Sequence, residues 1–139
     1  MYSAKEAAEM TGLSTATLRY YEKEQLLPQI TRNDQKYRQY AEEDIEWIKM
    51  IQCMRRANIP IQSIKEYVAL LIRGGETLEQ RYVMVQNHMK DIKKQMINLQ
   101  NAFILTQKKL SFYGKLLENS SYKNMSYSEE WKLFNHGED

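Results

Sequence analysis

The sequence is short of the residues that build most small sites. Its 139 residues include one cysteine, Cys53, and two histidines, His88 and His136. One cysteine excludes an internal disulfide framework and every Cys–Cys metal motif, and two distant histidines add no zinc set. No metal and no cofactor are therefore expected. Five glycines and two prolines are too few for a sheet-rich fold with many tight turns, which leaves a mainly α chain. No apolar run reaches the ~18 residues of a membrane span, and Met1-Tyr2-Ser3-Ala4-Lys5-Glu6 does not open like a signal peptide. The expectation is a cytoplasmic protein with no membrane partner. Paired carboxylates, a Ser–His constellation and a phosphate loop are missing, so no enzyme is expected. An excess of one charge is missing too: 20 basic and 18 acidic residues give a net +2. A nucleic-acid partner must be argued from local arrangement.

What is present is helical. Ser3 and Glu6 form a capping box for a first helix that ends near Thr11-Gly12, where glycine supplies a left-handed turn. Ser14 caps a second helix running to about Glu24. Two short helices joined by a glycine-containing turn fit a helix-turn-helix. On the second helix Leu18 is the anchor, while Ser14, Thr15, Thr17, Arg19, Tyr20, Tyr21 and Lys23 offer hydroxyls, phenols and cations of the kind that meet phosphates and base edges. The bland alternative is a solvated face helped by Glu22 and Glu24. The segment Ile30–Tyr40 weighs against it: a turn at Asn33-Asp34 between extended-favouring residues reads as a small wing carrying Arg32, Lys36, Tyr37 and Arg38. Four tyrosines lie on these two elements, which are the ones expected to face a duplex.

Thr17-Leu18-Arg19-Tyr20-Tyr21-Glu22, Leu26-Leu27-Pro28, Tyr37-Arg38-Gln39-Tyr40 and Glu43-Asp44-Ile45, in that order and spacing, resemble the MerR family of transcriptional regulators over residues 3–72. The long helix that follows extends the resemblance to about residue 117. The resemblance implies a winged helix-turn-helix domain with Arg19 and Tyr20 against DNA, and Tyr37 and Arg38 on the phosphate backbone. Three positions depart from the family pattern. Lys36 stands where glycine usually precedes the wing Tyr-Arg. Ala41 replaces a hydroxyl cap, a loss of ~1 kcal/mol partly offset by Glu42, Glu43 and Asp44 at the positive helix end. Asn58 and Pro60 replace a glycine and a cap; asparagine tolerates left-handed geometry, and proline suits a first turn.

Beyond Gly74-Gly75, Thr77 and Gln80 suit a capping box. Leu78, Tyr82, Val85, Met89, Ile92, Met96, Leu99, Phe103, Leu110, Tyr113 and Leu117 then recur at spacings of three and four, interrupted at the seam by Thr106 alone. A helix over 77–117 would run roughly 60 Å, and a seam of that length calls for a second copy of the chain. The expected division is a winged helix-turn-helix domain at 1–73, a coiled-coil dimerisation helix at 76–118 and a polar tail at 119–139. The resemblance implies antiparallel helices, so that a homodimer meets a pseudo-palindromic promoter. It also implies activation by distorting the promoter spacer, with RNA polymerase affected indirectly. Tyr122, Tyr127, Trp131 and Phe134 of the tail read as a dock on the partner, a lid on an effector pocket or a loosely ordered end.

Cys53 falls at the edge of the apolar arc of the helix Glu42–Ala57, with Lys49 four residues before it and Arg56 three after. Cations in reach favour a thiolate open to electrophiles or oxidation; the bland alternative is a small packed hydrophobe. A single cysteine in this helix is similar to the aldehyde- and thiol-stress-responsive (AdhR/NmlR-like) branch of the family. Two other readings stay open: gating by a small non-covalent ligand held by the tail aromatics, and a coiled-coil adaptor whose head binds protein.

Overall fold

The computed structural model describes residues 1–137. They form two compact units, one over residues 1–90 and one from residue 91 onward. In the first, helix α1 (Ala4–Thr11) starts at the expected capping box: Ser3 Oγ accepts from Glu6 N at 3.1 Å and Glu6 Oε1 from Ser3 N at 3.0 Å. Hydrogen bonding from the Ser3 backbone, then from its side chain, holds the Glu6 carboxyl below the usual carboxylate range. Gly12 ends α1 in the left-handed region, φ 72°, a conformation that costs glycine nothing. Ser14 caps α2 (Thr15–Lys23), and α1 packs on α2 as a helix-turn-helix requires.

The wing follows as two short antiparallel strands, β1 (Thr31–Arg32) and β2 (Arg38–Gln39), in register Thr31↔Gln39 and Arg32↔Arg38. Its turn is closed by Asn33, whose main chain bonds Lys36 and Tyr37 and whose Oδ1 accepts from Tyr37 N at 2.9 Å. Lys36, at the usual glycine position, adopts φ 67°, a geometry that β-carbon-bearing residues enter at a cost. A bridge the sequence does not announce joins Tyr2 to Tyr40, N–O distances 2.7 and 2.8 Å. It sets the start of α1 beside the base of the wing.

Helices α3 (Glu42–Arg56) and α4 (Ile61–Arg73) close the core. Ala41 caps α3 without a side-chain bond, but Asp44 Oδ2 accepts from Ala41 N at 2.8 Å, half of a capping box. Asn58 takes the left-handed turn expected of it, φ 60°, and Pro60 is the N-cap of α4, one residue before its first turn. Leu18, Leu26, Tyr40, Ile45, Ile48, Ile51, Ile64 and Val68 are buried together. Two side chains pin the frame: Trp47 Nε1 donates to Leu26 O at 2.8 Å and Gln52 Nε2 to Thr11 O at 2.7 Å.

The expected Thr77–Gln80 capping box does not form. Thr77 is fully buried in a single 3-10 turn, Gly75–Thr77. Its hydroxyl lies 2.7 Å from Leu70 O and 2.9 Å from Gly74 O, and it accepts from Arg81 Nε at 3.0 Å. Arg81 also donates to Gly74 O at 3.1 Å. Thr77 thus ties the start of the long helix back to α4, because Gly74, at φ 89°, turns the chain away from a simple cap. The long helix, α5, spans Leu78–Leu117, 40 residues, or about 60 Å.

In the second unit the tail is ordered as a helix. Ser126 caps α6 (Tyr127–His136), with Ser126 Oγ accepting from Glu129 N at 3.2 Å. Phe134 meets Phe112 of α5 edge-on, ring centres 5.2 Å apart. Tyr113 donates its hydroxyl to the Glu130 carboxylate, which raises the phenol pKa. The tail is therefore neither a loose end nor free of α5, an outcome for which its polar composition gave no cue.

Candidate functional site

The Tyr2–Tyr40 bridge places α1, α2 and the wing around one cleft of about 280 Å3, lined by Ser3, Ala4, Lys5, Arg19, Arg32, Lys36, Tyr37 and Arg38. Five of these carry positive charge and none is acidic. A chain with a net charge of only +2 has gathered its cations locally. Arg19 and Tyr20 project from α2, exposed, with Lys23 a turn further on. Tyr37 stands at the wing tip, 70% exposed.

Not every expected site residue is free to reach out. Ser14 and Thr17 share a hydrogen bond at 2.9 Å, and Ser14 also accepts from Thr17 N, so both hydroxyls serve the helix start. Thr15 is half-buried. Arg38 forms a short ion pair with Glu22, and Arg32 reaches Glu22 at 3.5 Å and Lys36 O at 3.1 Å. Tyr21 and Tyr40, two of the four tyrosines on these elements, are core residues, 5% and 0% exposed. Burial raises both phenol pKa values. On α2, Tyr21 follows Leu18 by three residues and shares its face. Lys5 and the first turn of α1 belong to the cleft without being singled out in the sequence. The capping box was legible, but the bridge between residues 2 and 40 has no sequence signal.

On α3, Cys53 is exposed. Lys49 pairs with Glu46 at 3.3 Å rather than with the cysteine, and Arg56 is exposed. Along α5, Leu78, Tyr82, Met89, Met96, Leu99, Phe103, Leu110 and Leu117 are all more than half exposed, with Val85 and Tyr113 just under half. Ile92 is half-buried. Among the described residues no three or more His, Cys, Asp or Glu are grouped to hold a metal ion. No described helix is long and apolar enough to cross a membrane.

The family model for MerR helix-turn-helix regulatory proteins matches residues 2–71. The chain belongs to the MerR family. It is 34% identical over 122 residues to an HTH-type transcriptional regulator of Haemophilus influenzae, covering 88% of this chain and 90% of that one. It is 41% identical over 92 residues to the HTH-type transcriptional regulator AdhR of Bacillus subtilis, covering 66% of this chain and 63% of AdhR. Among solved structures it resembles HiNmlR, a MerR family regulator lacking the sensor domain, crystallised bound to promoter DNA. The TM-score is 0.82 at 34% identity, over 88% of this chain and 97% of that one. The chain is thus a MerR-type transcriptional regulator with the family's DNA-binding fold, and its relatives are regulators rather than enzymes. AdhR and HiNmlR stand for the branch the single cysteine resembles.

Proposed function

We propose that the chain binds promoter DNA as a homodimer through residues 1–73, associates through 76–118, and distorts a pseudo-palindromic spacer when activated. The observation that carries the DNA reading is the acid-free cleft joining Lys5 of α1, Arg19 of α2 and Lys36 of the wing. A phosphate backbone is the extended anion such a line of cations fits. In this reading Arg19, Tyr20 and Lys23 enter the major groove while Lys5, Lys36 and Tyr37 grip the backbone beside it. Ser14, Thr15 and Thr17 order the start of the recognition helix, and Arg32 and Arg38 brace the wing. HiNmlR, bound to promoter DNA in its crystal, supports the reading. Gel retardation with the DNA upstream of its own gene tests it. Arg19→Ala should weaken binding at least about tenfold without dissociating the dimer; unchanged affinity at moderate salt would reject the assignment.

The dimer reading rests on the exposed seam of α5, whose apolar side chains find no cover within their own helix. For the signal we propose an electrophile, an aldehyde in particular, acting on Cys53. The exposed sulfur adds to the carbonyl carbon, the carbonyl oxygen takes the thiol proton, and a hemithioacetal forms reversibly. α3 packs on α1 and on α4, so a bulkier group at Cys53 would be felt on both. An aldehyde response undiminished in Cys53→Ser would remove this reading while leaving DNA binding intact. The contact of Phe134 with Phe112 already occupies a ring that the ligand-gated alternative would use.

A further inference from the structure

Thr77 and Arg81 form one cluster at the passage from α4 to α5. Gly74 O accepts from Thr77 N at 3.1 Å and from Arg81 Nη2 at 3.1 Å, which uses both of its lone pairs. The buried Thr77 hydroxyl accepts from Arg81 Nε at 3.0 Å, and its own proton is left for Leu70 O at 2.7 Å. Leu70 lies in the last turn of α4, where carbonyls lack a partner within their helix. Arg81 stands in the first turn of α5, the end of a helix dipole that disfavours a cation. The carbonyl end of α4 favours one, so the guanidinium serves α4 while growing from α5. Gly74, at φ 89° and ψ −156°, holds a backbone conformation nearly confined to glycine. Leu78, the first residue of the α5 seam, follows Thr77 directly. Head and seam are therefore joined through this cluster and not through a slack linker.

We propose that Thr77 and Arg81 are positioning residues that set which half-site spacing the regulator accepts. They fix the direction in which the first turns of α5 leave α4. In a twofold dimer each recognition helix is carried on its seam through one such joint. Two joints then set the separation and the rotation of the two heads. The inference rests on the DNA-binding and homodimer reading above. Each base pair added between half-sites moves one of them by about 3.4 Å and turns it by about 35°. A held joint leaves the DNA to absorb that change by bending and twisting, at a cost in affinity. A freed joint absorbs the change itself, while the contacts to bases and phosphates stay the same.

The test uses the full chain and a duplex from upstream of its own gene, footprinted to find the half-sites. The duplex is then remade with a base pair inserted or removed at the centre. Wild type should bind the remade duplexes at least about tenfold more weakly than the natural one. Thr77→Val keeps the shape and removes the hydroxyl, and Arg81→Met keeps the reach and removes the donor fork. In either variant the penalty should shrink to about threefold or less. Arg81 is only half-buried, so Arg81→Met carries the test if Thr77→Val does not fold. Thr77→Ser, which keeps the hydroxyl, should retain the wild-type penalty. Two controls separate positioning from other losses. Arg19→Ala should weaken every spacing alike, and Ile48→Ala, which loosens the head core, should leave the penalty of the folded protein as in wild type. An undiminished penalty in the Val and Met variants, an equal loss of it in Ile48→Ala, or its loss in Thr77→Ser would each overturn the inference while operator binding stands. A wild-type chain indifferent to spacing would do the same. A wild-type chain that binds none of the duplexes would overturn the DNA-binding reading and this inference with it.

Discussion

Fourteen hydrophobic residues between Ala7 and Val68 are buried against one another, whereas none of the forty residues of α5 is buried. The two regions use equally apolar side chains to opposite ends. In the head, helices of 8, 9, 15 and 13 residues are each too short to stand alone and are held by a shared core and by caps. In α5, the seam repeats at the same three- and four-residue spacing, yet its side chains face outward. Stability is local in the head and, in α5, must come from a surface outside the helix. A mutation should therefore report which region it touches by whether it changes folding or association.

The largest test of this contrast lies on the seam. Leu99 is 73% exposed, so Leu99→Glu should leave the head folded. In the proposed twofold dimer the substitution occurs twice, removing about 3–6 kcal/mol of apolar burial and weakening association about 10^2- to 10^4-fold. Sedimentation equilibrium with far-ultraviolet dichroism at low concentration reads both the mass and the helicity of α5. A variant that stays dimeric with full helicity would break the contrast. The converse test is Ile48→Ala, at a fully buried position on α3. It should cost about 2–5 kcal/mol of head stability in thermal or denaturant unfolding. The association constant of the still-folded protein should stay where it was.

The same contrast explains what was legible in the sequence. Features whose cause lies within a few turns of chain read correctly: the Ser3–Glu6 box, the left-handed Gly12 and Asn58, the Ser14 cap and the long helix α5. Features fixed by distant partners did not. Tyr21 reads with the phenols and hydroxyls of α2 and Tyr40 with the wing, whereas both lie in the core. Their burial depends on α3 and on the bridge to Tyr2. Thr77 looked like a cap because its spacing to Gln80 fits one, but Gly74 turns it towards Leu70. Lys5 went unread in the cleft for the same reason as the bridge, whose two residues, Tyr2 and Tyr40, lie 38 positions apart in the chain. The α6 helix had a local signal, Ser126 three before Glu129, which the polar surroundings concealed.

The wing sharpens the contrast within the head, because there stability and binding compete at one residue. Lys36 holds a left-handed turn, φ 67°, that glycine would adopt without steric cost, and its side chain lines the cleft. Lys36→Gly should therefore raise the unfolding free energy by up to about 1 kcal/mol, the relief of strain exceeding the entropy of the added glycine. The same change should weaken DNA binding and flatten its salt dependence. Paired unfolding and gel-retardation measurements read the two effects, and a variant that loses both stability and affinity would place the strain elsewhere.

The smallest expected effect concerns the one buried side-chain polar atom without a hydrogen-bond partner among the described residues, the Tyr40 hydroxyl. Tyr40 is fully buried beneath the wing, so the hydroxyl has given up water and received nothing in return, a cost that Phe does not bear. Tyr40→Phe should be neutral or stabilising at neutral pH, by less than about 1 kcal/mol, because the ring and its packing are unchanged. The alkaline behaviour separates this from a general packing effect. Burial raises the Tyr40 pKa above the ordinary 10.0, chiefly by disfavouring the phenolate. The unfolded chain therefore releases this proton at lower pH than the folded head does. The associated stability is complete below pH 10 and drains away as pH climbs through the raised value. Tyr21, raised by the same cause, drains it in parallel and remains in the variant. Unfolding midpoints compared at about pH 8 and about pH 10.5 should fall further in the wild type than in Tyr40→Phe. Equal falls would mean that the hydroxyl reaches solvent or finds a partner before the head opens, and that the wing base is less closed than the Tyr2–Tyr40 bridge makes it.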